Sequence, residues 1–361
     1  MADTAPITTI DEFEEEYRKG AGVALPGRAS KQATLDNISR AGDGIGDMNP
    51  LWRDPEYAAR SRFGMVTAMP SFVYSSSLGV GAAIQGNIDS SRTRDFAMNY
   101  AGGELEIYRP IWLGDTITCR EQVGPVVRKE SGRIGPFCIC TGLVTYTNQR
   151  HEVVATKRTL MARYKILGGG DQTITYDREN KSGVEEEPAD ALVWEVERRG
   201  AEPRYWEDVA EGDEMPPLKK GTYGVTELFL FTHGVLGTRR STRAALESAG
   251  SKDLGGGGRF DAEHAKRKRS MPGQFDFGPQ RVCWLVQMCT DWMGDDGTFR
   301  KMVTQVRHPN VVGDTNTLYG TVASKYVQGD EHLVDLDVRV QNQSGTASAF
   351  ARATVALPSR G

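Results

Sequence analysis

Tyr108-Arg109-Pro110-Ile111-Trp112-Leu113-Gly114-Asp115-Thr116 returns later in the chain as Arg307-His308-Pro309-Asn310-Val311-Val312-Gly313-Asp314-Thr315. Both copies end in Gly-Asp-Thr, a turn that feeds a strand-like stretch. Working outward, Val144-x-x-x-Asn148 matches Val338-x-x-x-Asn342, and Arg158 matches Arg352. Upstream, the run from Trp52 to Ala58 matches Arg259 to Ala265, and Gly22-x-x-x-Pro26 pairs with Gly212-x-x-x-Pro216. The matches keep their order, so the sequence reads as one unit written twice. The second copy carries an insertion ahead of Arg259, at Leu246 to Gly258, where a glycine run reads as a flexible loop.

Each copy follows the same plan. Ser71 to Ile84 and Gln280 to Met293 carry apolar residues at helical spacing, stopped by Gly86 and Gly294. Apolarity on nearly every side predicts a helix buried all round. Strand patterns follow at Thr116 to Val123, Phe137 to Thr147 and Val153 to Tyr164, then at Thr317 to Lys325, Leu333 to Val340 and Ala347 to Leu357. Turns at Asn148-Gln-Arg-His and Asn342-Gln-Ser-Gly imply antiparallel hairpins. One buried helix followed by an antiparallel meander forces the sheet to wrap around the helix. The predicted organisation is an N-terminal unit at 1–167, a polar linker at 168–192 and a C-terminal unit at 193–361.

Composition narrows the function classes. The chain has 361 residues, 44 Lys+Arg against 48 Asp+Glu and a net charge of -4, without a long basic block, which argues against a nucleic-acid partner. No apolar run reaches the ~18 residues a membrane span needs. The acidic N-terminal stretch has no apolar segment, so a secretory signal is not expected. Five cysteines (Cys119, Cys138, Cys140, Cys283 and Cys289) form no Cys-x-x-Cys pair, which points to a reducing cytoplasm, without disulfides or a metal site.

Ile45-Gly46-Asp47-Met48-Asn49-Pro50-Leu51-Trp52-Arg53-Asp54-Pro55-Glu56-Tyr57-Ala58 resembles the Gly-Asp-x-Asn-Pro-Leu-His-x-Asp segment of MaoC-like acyl dehydratases, the (R)-specific enoyl-CoA hydratase family. Phe63-Gly64 to Met69-Pro70 resembles the family's stretch ahead of its central helix, and Tyr108-Arg109-Pro110 to Gly114-Asp115 its Arg-Pro-x-x-x-Gly-Asp signature. The resemblance covers both halves and implies an α+β double hotdog, each half a long central helix wrapped by an antiparallel sheet. It implies addition or removal of water across the 2,3 double bond of an enoyl thioester carried by coenzyme A or an acyl carrier protein. No separate cofactor is expected, since coenzyme A enters as part of the substrate. A homodimer, or a heteromer with another hotdog chain, is the implied assembly.

That chemistry needs a carboxylate to handle water at C3, a proton for C2 and N–H donors for the thioester oxygen. The resemblance places Asp47 and Asn49 in the catalytic positions. The acyl group is expected against Trp52, Met69, Pro70, Ser71 and Phe72, with backbone amides at the start of the central helix facing the thioester. The family's histidine position holds Trp52, whose indole exchanges no proton near neutral pH. In the second half Arg259 takes that place and Asp276 corresponds to Met69. Three roles are open to Asp47: a lone acid–base, one that borrows a histidine from the other half (His233 or His308), or a cap on its loop. His151 and His332 read as solvated, and His264 as a packing residue. Trp52 can line an acyl tunnel or plug it. Asp115 and Asp314 read as turn formers, and Lys266 to Arg269 as either a solvated face or a site for carrier phosphates. Two rivals to a hydratase are a non-catalytic partner subunit and a thioesterase, which the same fold can host.

Overall fold

The computed structural model describes residues 5–25, 30–76, 86–132, 134–166, 196–236, 259–269 and 271–361. The first half contains α1 (Ile10–Lys19), β1 (Lys31–Gln32), α2 (Leu35–Asp43), α3 (Pro55–Arg60), β2 (Thr67–Ala68), the short α4 (Val73–Ser76), β3 (Phe96–Ile107), β4 (Ile111–Trp112), β5 (Thr116–Ser131), β6 (Gly135–Thr147) and β7 (Val153–Lys165). The second contains β8 (Glu214–Thr222), α5 (Val225–Phe231), α6 (Ala262–Arg269), α7 (Gly278–Met293), β9 (Thr298–Val306), β10 (Thr315–Gln328), β11 (Glu331–Asn342) and β12 (Ala347–Leu357). The expected linker, the 246–258 insertion and the first-half central helix beyond Ser76 lie outside the described residues.

Ten strands form one antiparallel sheet in the order β1-β5-β6-β7-β3-β9-β12-β11-β10-β8. Either side of the β3–β9 seam the order mirrors itself, so the repeat in sequence is a repeat in topology. Every residue of α7 is buried, and the helix packs against β8 to β12 and against β3. An all-round apolar helix has no face to offer water, so the sheet curls about it. Along β11, Leu336, Val338 and Val340 point into this core, at the two-residue spacing of a half-buried strand.

Matching motifs make matching contacts. Asp115 Oδ2 accepts from Trp112 N at 2.9 Å and Oδ1 from Gln149 Nε2 at 2.9 Å, while Asp314 does the same with Val311 N at 2.7 Å and Gln343 Nε2 at 3.0 Å. The preceding Gly114 and Gly313 both have left-handed backbones, with φ of 93° and 97°. These aspartates close turns, as their sequence context predicts. Asn148 Oδ1 and Asn342 Oδ1 likewise take the amides of their own hairpin turns.

Three features depart from the sequence reading. The seam strands β3 and β9 were not foreseen, and β5 runs on to Ser131, past the expected end at Val123. A second small core also forms where α1 lies on the outer strands: Phe13 stacks on Phe96 at 5.1 Å, and the Tyr17 hydroxyl donates to Thr141 O at 2.8 Å.

Candidate active site

The loop after α2 is set by its own short-range bonds. Asp47 N–H donates to Gly42 O at 2.9 Å, and a Cβ on Gly42 would stand 2.7 Å from the Asp47 carbonyl oxygen, so only glycine lets the loop fold back this far. Asp47 Oδ1 accepts from Asn49 N at 3.0 Å, and Asn49 Oδ1 accepts from Leu51 N at 3.0 Å. Pro50 then starts a 3-10 turn, Pro50–Trp52, which swings the indole back until Trp52 Nε1 donates to Asp47 Oδ2 at 3.0 Å. The Asp and the residue five positions later therefore meet, with an indole where the resemblance implies an imidazole.

The second half holds this loop from beneath. Lys220 Nζ donates to Ile45 O at 2.7 Å and also bonds Gln287 Oε1, and Gln287 Nε2 reaches Gly46 O at 3.3 Å. Nearby, Arg198 Nε lies 3.4 Å from Asp291 Oδ1. Burial pushes the Asp47 carboxyl above the usual carboxylate range, opposed by the Asn49 amide, Lys220, Arg198 and the Trp52 indole. Burial pulls the Lys220 ammonium down to about 8, with Asp47 and Asp291 resisting. It also drives Asp291 well up, and the Asp47 charge adds to that rise.

Above the loop a cavity of about 270 Å³ opens between the halves. Asn49, Trp52, Met69 and Pro70 line it from the first half. Phe63, Ile107 and Ile111 extend its apolar wall, and Met293 and Phe299 close it from the second half. Its polar groups include Arg62, Thr290, Asp295 and Arg300. Asp47, Ser71 and Phe72 do not line it: Asp47 is held by the Trp52 indole and only 2% exposed, and Ser71 and Phe72 are buried within the 3-10 turn Pro70–Phe72. The Phe72 amide, expected to face a thioester, instead bonds Met69 O at 2.9 Å.

Neither borrowed-histidine candidate reaches the cavity. His233 is exposed and stacks on Phe229 at 5.6 Å, and His308 lies exposed at the start of its turn. His332, expected to be solvated, packs edge-on against Trp206 at 5.2 Å. The His264 side chain and the basic run beyond Lys266 lie outside the described side chains. In the second half Asp276 pairs with Arg281 at 2.8 Å and accepts from Asn310 N and Nδ2, which locks it into the core. All five cysteines are buried free thiols. Among the described residues no helix is long and apolar enough to cross a membrane.

Sequence reasoning missed the second half's share of the site. Lys220, Gln287, Asp291 and Asp295 carry no motif. One signal was present: a charged Asp291 inside the apolar run of α7 is costly unless it meets partners.

One shared sheet wrapping the buried helix α7, a strand order mirrored about the seam and a cavity at the junction define a double hotdog fold, as the repeat implied. Comparison with known proteins agrees. Residues 28–157 match the family model described as the FAS1-like dehydratase domain region. A probable enoyl-CoA hydratase alpha subunit of Thermomonospora curvata is 26% identical over 168 residues, 43% of this chain and 53% of that protein. A UPF0336 protein of Thermobifida fusca is 35% identical over 94 residues, 26% of this chain and 60% of that protein. The matches thus span little more than half of these relatives. Among solved structures, a MaoC-like dehydratase superimposes with a TM-score of 0.68 at 16% identity, covering 95% of this chain and 99% of that one. A Mycobacterium tuberculosis protein described as a double hotdog gives 0.55 at 14% identity, over 93% and 96%.

Proposed function

We propose that the chain is an acyl-thioester hydratase or dehydratase that binds its substrate in the cavity between the halves. The observation that carries this is the convergence of the Asp-x-Asn-Pro loop, at Asn49 and Trp52, and the 3-10 turn ahead of α4, at Met69 and Pro70, on one cavity of acyl size. Its apolar walls suit a short or medium acyl chain. The relative named as an enoyl-CoA hydratase alpha subunit supports the same reaction class. In this reading the substrate is an enoyl thioester of coenzyme A or a carrier protein. The Trp52 indole and Met69 flank its acyl chain, and Asn49 orients the reacting water. Asp47 fixes Trp52 and Asn49 through the bonds above, and it meets the substrate only if the indole leaves Oδ2.

The test is incubation of the purified chain with crotonyl-CoA and with bulkier enoyl-CoAs, following loss of the conjugated thioester absorbance. Steady loss supports the proposal, and none with any of them sinks it for the chain acting alone. A second reading, a non-catalytic partner in a heteromer, is favoured by the Trp52–Asp47 bond, which occupies the motif's carboxylate. Hydration appearing only when a companion hotdog chain is added is the outcome that distinguishes it.

A further inference from the structure

With Asp47 buried and held by Trp52, the cavity needs another carboxylate, and the second half provides one. We propose that Asp295, from the segment just after α7, is the acid–base residue for a substrate in this cavity, positioned by Tyr57 of the first half. The assignment rests on the hydratase reading above and names the group that performs it.

Asp295 is held on three sides. Its N–H donates to Gly200 O at 2.9 Å, and its carbonyl accepts from Arg62 Nε at 3.0 Å. The Arg62 guanidinium is itself fixed on Gly297 O and Thr298 Oγ1, both at 2.7 Å. The Tyr57 hydroxyl donates to Oδ2 at 2.6 Å, across the junction of the halves. Oδ1 accepts no hydrogen bond from any described residue, and Asp295 lines the same cavity as Trp52. A carboxylate following a helix C-terminus lies at the unfavourable end of the helix dipole, so stability alone gives little reason for it. Burial raises its pKa, the Tyr57 hydrogen bond lowers it, the Asp296 charge raises it and Arg62 lowers it. Arg300 is a further charged group on the cavity wall.

The chemistry balances with water alone. A water O–H bond breaks as its oxygen bonds C3, and Oδ1 takes the proton. The π electrons move onto C2 and the thioester oxygen. Oδ1–H then returns its proton to C2, leaving the 3-hydroxyacyl thioester and an unchanged carboxylate; dehydration is the reverse.

Two variants of the full chain test this, each with binding of a saturated acyl-CoA measured beside turnover. Asp295→Asn keeps an oxygen for Tyr57 and should lose at least about a hundredfold in kcat while still binding butyryl-CoA. Tyr57→Phe should lower turnover by less than Asp295→Asn does and move the acid limb of the kcat/KM profile to higher pH. The sign follows from the base being active only when ionised: without the hydroxyl the carboxylate is less stabilised, its pKa rises, and activity is lost sooner on acidification. A purely structural tie would leave that limb in place. Wild-type turnover with Asp295→Asn within about threefold of it, or an unmoved limb in Tyr57→Phe, overturns the assignment alone. Absence of turnover in the wild-type chain overturns the hydratase reading and the assignment with it.

Discussion

Trp52 Nε1 gives Asp47 the one thing an indole shares with a neutral imidazole, an N–H donor. That bond ties the loop together at the position where the resemblance implies a histidine. The indole lacks the second nitrogen that could pass a proton onward. Trp52→Phe would keep the wall but leave a buried carboxylate oxygen without its donor, at a cost of about 1–3 kcal/mol in denaturant unfolding. Trp52→His restores a donor and adds a proton carrier, so it should recover most of that stability and raise the hydration rate. Equal stability of Trp52→Phe and wild type would show that the bond contributes nothing. At this scale the sequence was informative where a motif is contiguous: Asp47, Asn49 and Trp52 touch because five residues and one 3-10 turn bring them together. It was silent on Asp295, whose partner Tyr57 lies in the other half and shares no spacing with it.

Local pattern foretold the hairpins and α7, because two-residue alternation and all-round apolarity are visible in a short window. It did not foretell the seam. In β3, Gly102-Gly103 interrupts Phe-Ala-Met-Asn-Tyr-Ala, and a glycine pair in a strand reads as a break. The structure shows why they are there. Gly102 has φ of 111°, and a Cβ on it would come within 2.1 Å of Thr304 O on β9. The glycines let the two half-sheets join backbone to backbone, with Gly102 opposite Gln305 and Gly103 opposite Thr304. Gly102→Ala should therefore lower stability by about 1–3 kcal/mol or more, read as a drop in urea midpoint. A midpoint unchanged from wild type would mean that the seam tolerates a side chain.

The whole molecule is needed to make the cavity. The first half offers the motif loop and the second half pins it through Lys220 and Gln287, then adds Met293, Asp295 and Phe299 to the cavity wall. A repeat seen in sequence therefore says that two units pair, and not which residues face each other where they meet. It also hides an asymmetry: the second half contributes side chains to the site, while its own counterpart of the motif loop holds Arg259, bonded to Asp276 O at 3.3 Å. A crystal structure of the chain with butyryl-CoA, which cannot be hydrated, tests the central claim most directly. The account predicts the butyryl chain between Trp52, Met69 and Phe299, with its C3 turned toward Asp295. An acyl chain bound outside this cavity, with the space between the halves unoccupied, would contradict it.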